Sequence, residues 1–440
     1  MRTGMAARVC LAATLASAAL LCGLSVRGQS PRSDSYKLTS LKFNGLSRFN
    51  EAQLATLTHL KVGQKVTTDQ LLDAQKQLSK SGVFEEVVYS FKTLGTDLSA
   101  SYDLTESKNM LPCVYDNFVW FSSDEIDKNL RASVPLYTGL VPQSGTTLKD
   151  VADALQALAR TKAPAATVEY VPLAKALGQP PSAMQFRISG VSMPLQSVTF
   201  MGGSSVPEKD LEGAMSDAFG QDFSITRLSE TASNGLAPLF RNKGYWRVKF
   251  GDPTPMMNAN ATGSGSSLPV GAAFTIDQGL QFNWAKAVWT GNHAFTVEEL
   301  NKVLNMQPNE LANEYKIDAG LNTIRVNYLT HGYIESLVTK TAVLDDASRM
   351  ATFDVSIEEG PQYHMGTVQF LGVPPRAAEA IAKKWTLKTG DPFDPTYSQK
   401  FIDTIAGREV AAQGIRVSRV STRQQIDRQA HVVSLTLVFQ

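Results

Sequence analysis

Cysteine is scarce. The 440 residues hold three, Cys10, Cys22 and Cys113, and the first two lie inside an N-terminal apolar run. The rest of the chain therefore keeps Cys113 alone, which excludes an intramolecular disulfide or a cysteine-built metal cage within it. Cys113 reads as a small buried hydrophobe. An excess of either charge is also missing, with 42 basic and 41 acidic residues. The first 28 residues contain Arg2, Arg8 and Arg27 but no Asp or Glu, and without them the balance is 39 to 41. That balance argues against the basic stripe of a nucleic-acid binder. Catalytic constellations are absent too. The histidines (His59, His293, His331, His364, His431) are dispersed with no H-x-x-x-H or HExxH pair, and no G-x-S-x-G elbow or GKS/GKT loop occurs. No catalytic, cofactor-binding or metal-ligating residue is assigned, and the chain is read as a non-enzyme without cofactor.

The N-terminus, MRTGMAARVCLAATLASAALLCGLSVRGQS, places two arginines before an apolar run from Val9 to Val26. Residues 1–28 are expected to be a cleaved secretory signal. An uncleaved single-span anchor is the alternative, since about 18 apolar residues is the lower limit for crossing a bilayer. A lipoprotein fits less well, because Cys22 follows Leu-Leu. Each reading sends the bulk of the chain out of the cytoplasm.

Repetition is what the sequence has in quantity. SKSGVFEEVVYSF (Ser79 to Phe91) returns as PLFRNKGYWRVKF, NYLTHGYIESLV and REVAAQGIRVSRV. The glycines are Gly82, Gly244, Gly332 and Gly414, at separations of 162, 88 and 82, so the first gap is two periods. The missing copy falls at ALARTKAPAATVEYV, residues 157–171, with its glycine lost.

Around that anchor the unit repeats. A short alternating strand opens each copy, as in LKFNG, VTFMGG, AVWTGN and VQFLGV, with NFVWFSS (Asn117 to Ser123) in that place in copy two. A first helix follows, capped at Asn50, Ser123, Pro207 or Thr296, then a loop such as KVGQKVT, then a second amphipathic helix. The anchor turn leads into strand two, and strand three ends each copy as an antiparallel hairpin with it. The two-helix connection permits strands one and two to run parallel. The expected fold is α/β of the α+β type: five tandem β-α-α-β-β units, each a three-stranded mixed sheet covered by two helices.

The unit resembles the POTRA domain, carried by LKFNGL, KVGQKVTTDQLLDAQKQLSKSGVFEEV and GYIESLV. Five in tandem resemble the periplasmic part of the BamA-like outer-membrane protein assembly family. The units are expected at residues 36–107, 111–191, 194–279, 281–360 and 361–440. That family continues into a membrane barrel. This sequence stops at Gln440 on a copy-five strand, leaving no room for even about 8 strands of some 10 residues. The expectation is the array without the barrel.

A small sheet offers an edge, where free N–H and C=O groups take an added strand. The resemblance implies that strand two is the outer one and binds partner segments. The candidate partner-binding residues are Val87, Val88, Tyr89, Ser90 and Phe91; Trp246, Val248 and Phe250; Ile334, Leu337 and Val338; and Ile415, Val417 and Val420. Structural markers are Gly82, Phe84, Gly244, Tyr245, Gly332, Tyr333 and Gly414, with the aromatics expected to plug each core. Asp345-Asp346 and Glu358-Glu359 read as solvated turns, and NANATGSGSS (Asn258 to Ser267) as a flexible hairpin insertion. The expected role is a periplasmic, outer-membrane-associated scaffold that binds envelope proteins or extended peptides by strand addition, without nucleic acid and with peripheral membrane contact at most. A cell-division-type scaffold and the soluble partner of a separately encoded barrel are the alternatives.

Overall fold

A computed structural model describes residues 35–440 except 175, 177 and 258–266. The expected signal lies outside the described residues, as does all but Ser267 of the Ser-rich insertion. No described helix is long and apolar enough to cross a membrane.

Copy one runs β1 (Tyr36–Asn44), α1 (Glu51–Thr58), β2 (Lys65–Val66), α2 (Thr68–Lys80), β3 (Phe84–Leu94) and β4 (Asp97–Glu106). Copy two runs β5 (Met110–Tyr115), α3 (Ser123–Ser133), β6 (Leu140–Pro142), α4 (Thr146–Arg160), β7 (Thr167–Ala174) and β8 (Pro181–Ser189). Copy three has β9 (Leu195–Met201), α5 (Glu208–Ala214), α6 (Ile225–Thr231), α7 (Ala237–Arg241), β10 (Lys249–Phe250), β11 (Thr254–Met256) and β12 (Val270–Asp277). Copy four has β13 (Asn283–Thr290), α8 (Val297–Leu304), α9 (Glu314–Thr330), β14 (Leu337–Asp345) and β15 (Met350–Glu358). Copy five has β16 (His364–Leu371), α10 (Pro375–Ala382), α11 (Tyr397–Phe401), α12 (Gly407–Ala412), β17 (Val420–Asp427) and β18 (Val432–Phe439). In copies three and five a π-helical turn, Ala232–Leu236 and Ile402–Ala406, joins the two halves of the second helix.

These strands form five sheets. In each, the last strand of the copy is central: β4 pairs in parallel with β1 and antiparallel with β3, and β15 does the same with β13 and β14. Strands one and two therefore run antiparallel to each other, with strand three between them, and the expected parallel relation does not hold. The hairpin return fills the middle of the sheet, where both edges of strand three are hydrogen-bonded to neighbours. Strand two is left outside.

Two further expectations change. The opening strand of copy two is β5, which pairs with β8 from Cys113 to Tyr115, whereas residues 117–122 form the turn into α3 and Ser123 opens that helix. Asn117 is buried there, its side chain bridging to the backbone N–H and C=O of Ile188, so its apolar neighbours read as strand without being one. Three sheets have four strands where three were expected: the loop between the helices adds β2 beside β1 in copy one and β6 beside β5 in copy two, and the outer strand of copy three is split into β10 and β11.

The first helices of copies one and four are held by the caps that the sequence carries, whereas Pro207 before α5 makes no side-chain capping bond. Asn50 with Gln53 and Thr296 with Glu299 form reciprocal capping boxes. In copy two the box is made by Ser122 with Glu125, one residue earlier than read. Leu71, Ala74 and Leu78 of α2 face one side and join Leu38, Leu54, Phe84 and Tyr102 in a single core. Each fully buried leucine contributes about 1.5–3 kcal/mol. Comparable cores serve copies four and five.

The chain divides into two compact units. One holds the described residues up to Leu111 with Arg131–Asp150, and the other Pro112–Leu130 with Val151–Gln440.

Candidate functional site

The candidate site is the free outer edge of the sheets. β3 is the longest such strand, pairing only with β4 from Phe84 to Leu94. Its Val87 lies in the core, while Val88, Phe91 and Leu94 are 48%, 40% and 85% exposed. Tyr89 stacks between Phe91 and the core, 6.3 Å from Phe91 and 6.0 Å from Tyr102, and Ser90 is exposed. Unpaired backbone beside exposed apolar side chains is the geometry that accepts an added strand.

A groove runs between the second helix and the outer strand in three copies. In copy three it measures about 430 Å³ and is lined by Ser229, Arg241, Phe250 and Asp252. Its counterpart in copy five, about 470 Å³, is lined by Val410, Ile415, Val417, Val420 and Phe439. That of copy four, about 270 Å³, has Asp318, Arg325 and Lys340 on its walls. A peptide on the edge would place alternate side chains in such a groove.

The edges of copies three to five begin later than their sequence suggests. Phe250 is in β10, Leu337 and Val338 open β14, and Val420 opens β17, but Trp246, Val248, Ile334, Ile415 and Val417 precede these strands in turn or irregular backbone. Trp246 is not an edge residue. Its ring lies 4.9 Å from Phe353 of copy four and its indole N–H donates to the Ala312 carbonyl at 2.7 Å. Ile334 likewise packs on the core of copy five. Both are apolar because the next copy buries them. Conversely, β7 is an outer strand that the lost glycine concealed, with Tyr170 and Val171 exposed. Pro172 within it was the available signal, since proline in a sheet marks an edge.

The anchor glycines Gly82, Gly244, Gly332 and Gly414 all have left-handed φ, between 73° and 90°. Lys162 stands at that place in copy two and is not among the left-handed residues described. Phe84 is buried in the copy-one core. Tyr245 and Tyr333, one position nearer the glycine, are half-buried, Tyr333 edge-on to Tyr328 at 5.7 Å.

Glu359, read as a solvated turn, is structural. Its carboxylate accepts the backbone N–H of His293 at 2.6 Å and of Ala294 at 2.8 Å, and the Tyr328 hydroxyl at 3.0 Å. Burial pushes this carboxyl up, but those hydrogen bonds outweigh it and hold it below the usual range. Asp346 pairs with Arg247 at 2.6 Å. His331 caps α9, its Nδ1 2.7 Å from the Asn327 carbonyl oxygen, and its side chain is exposed. Among the described residues no group of three His, Cys, Asp or Glu could hold a metal ion.

A central third strand, a first strand parallel to it, an outer second strand and a preceding helical segment recur from copy to copy. Residues 283–360 match the family model "POTRA: Surface antigen variable number repeat". Copy four is thus similar to a POTRA repeat. A putative outer membrane protein assembly factor of Treponema pallidum is 24% identical over 132 residues, 30% of this chain and 15% of that protein. The chain thus spans a small part of this curated relative. Among solved structures, POTRA3-5 of Haemophilus influenzae BamA is 18% identical with a TM-score of 0.38, covering 56% of this chain and 96% of that one. POTRA1-3 of Omp85 from Anabaena is 15% identical with a TM-score of 0.24, covering 57% and 95%.

Proposed function

We propose that the chain is a non-catalytic array of five POTRA-like domains, at residues 36–107, 111–191, 194–279, 281–360 and 361–440, that binds extended polypeptides in outer-membrane protein assembly. It works in the periplasm, delivered there by the signal at residues 1–28, and its partners are envelope proteins. The single observation that carries the reading is β3: eleven residues long, paired on one side, with Val88, Phe91 and Leu94 exposed on it. A soluble protein ordinarily blunts such an edge, because it templates pairing with other chains. Binding there is by backbone hydrogen bonds, which tolerate many sequences, with side-chain pockets adding selectivity. Each edge binds weakly, and linked edges gain by effective concentration.

A photo-crosslinking scan through β3, β7, β14 and β17 in cells, with mass spectrometry of the captured proteins, tests this. Capture alternating along the strand supports strand addition. Capture confined to helix faces would sink it.

A further inference from the structure

Copy three reaches over the outer edge of copy four. Two residues beyond the anchor glycine Gly244, the Trp246 ring stands edge-on to Phe353, and its indole N–H donates to the Ala312 carbonyl just ahead of α9. The Lys340 ammonium of β14 lies 5.4 Å from the centre of that ring and pairs with Glu314 and Asp318 of α9. The ring therefore sits between α9 and β14, beside the groove whose walls carry Asp318, Arg325 and Lys340. The next residue acts on the strand itself. The Arg247 guanidinium donates to the Leu344 carbonyl, within β14, at 3.3 Å and to the Asp346 carboxylate at 2.6 Å.

The strand is shaped for this occupant. Ala342 of β14 pairs with Phe353 of β15. At the matching register of copy one, taking Gly45 beside Leu104 as the counterpart of Gly291 beside Ile357, Phe91 pairs with Ala100. Copy one thus carries the bulk on its edge strand, whereas copy four carries it on the central strand and leaves only a methyl group at the edge. The large ring that β3 supplies in copy one comes to copy four from copy three. The grooves agree: about 270 Å³ beside β14, against about 430 and 470 Å³ in copies three and five. Trp246 and Arg247 stand in a turn, and the Arg247–Asp346 pair is about half exposed on both sides, an arrangement that adds little stability and separates readily.

We propose that Trp246-Arg247 is a built-in occupant of the copy-four edge, an autoinhibitory contact that closes β14 to added strands until a partner segment bearing an aromatic residue followed by a cation takes its place. The partner's ring replaces Trp246 against Phe353, its cation meets Asp346, and its backbone then runs along β14. This rests on the reading of the outer strands as binding edges, and adds which edge is shut and what chemistry opens it. The occupant is tethered, so its effective concentration is high, and only a segment offering both groups competes with it.

The probe is a labelled peptide of residues 243–250 (KGYWRVKF), added to the full chain carrying a photoreactive residue at Thr341 of β14 or at Ser90 of β3. Labelling at Ser90 is expected in every protein. Labelling at Thr341 is expected to be weak in the wild type and about tenfold stronger in Trp246→Ala with Arg247→Ala, where the tethered competitor is gone. It should be lost when the peptide carries alanine at both positions, and Trp246→Phe should stay closed. A second route spares the ring. Arg247→Glu sets a like charge against Asp346 and should raise Thr341 labelling about threefold, and adding Asp346→Arg should restore closure. Both side chains are exposed, so the melting curve stays unchanged. Equal labelling at Thr341 in the wild type and the double alanine variant overturns the closure. So does labelling at Ser90 with none at Thr341 in that variant, which leaves the edge reading standing. Labelling at neither residue brings down the edge reading and the closure together. Labelling at Thr341 that appears only with faster hydrogen exchange across β13 and β15 is unfolding, and overturns the closure as well.

Discussion

The carboxylate of Glu106 accepts the backbone N–H of Ser47 at 2.6 Å, tying the end of β4 to the turn after β1. It also accepts the Arg48 backbone N–H and side chain, both at 2.9 Å. Glu359 makes the same clamp on His293 and Ala294 in copy four, and the Gln278 side chain accepts the Ser205 N–H at 2.9 Å in copy three. In copies one, three and four the strand-end side chain, a carboxylate or an amide oxygen, is therefore a fastening between strand three and the approach to the first helix.

Burial raises the Glu106 carboxyl, but the Ser47 and Arg48 hydrogen bonds prevail and bring it from 4.5 to about 2. A depressed folded pKa gives stability that is fully present above about 4.5 and lost as pH falls toward 2. Glu106→Gln is expected to cost about 2–3 kcal/mol at pH 7. In urea unfolding the gap between variant and wild type should close near pH 2. A gap independent of pH would contradict the clamp.

Gly291 and Gly414 separate two uses of left-handed glycine. A Cβ on Gly291 would lie 2.1 Å from the Ile357 carbonyl oxygen, whereas Gly414 has free space. Gly291→Ala should destabilise copy four by about 3 kcal/mol or more, because backbone must move. Gly414→Ala should cost only the left-handed strain, about 1–2 kcal/mol. Hydrogen exchange of β13–β15 against β16–β18 reads the two separately.

Trp246 fastens copy three to copy four through Phe353 and the Ala312 carbonyl. Trp246→Ala is expected to cost about 2–4 kcal/mol. Trp246→Phe keeps the ring contact and should cost about 1 kcal/mol for the lost hydrogen bond. Faster proteolysis near Gly279 in the alanine variant is the accompanying signature. An unchanged cleavage rate would return Trp246 to the free edge.

Val88→Lys with Leu94→Lys places charges on the exposed face of β3, which lies outside the core. Stability should change by no more than about 0.5 kcal/mol for each surface substitution. Polypeptide capture at β3 should fall sharply, because charged edges refuse added strands. Undiminished capture with normal folding would remove β3 as the working edge.

Periodicity in the sequence determined the repeat, the helices and their caps, and the left-handed anchor at Gly82, because each depends on neighbours a few residues apart. In copy one it also marked the outer strand, since Val83 and Phe84 enter the core directly after the glycine. The tertiary structure alone decided which strand is central and what buries each apolar side chain. Trp246 and Ile334 carry the pattern of a strand, yet the body that covers them is the following copy. Glu359 has the composition of a solvated turn, yet its partners lie 65 and 66 residues away along the chain. A local pattern records that a side chain leaves water. Only the fold supplies the surface that it meets, because contacts across a repeat or between repeats have no fixed spacing in sequence.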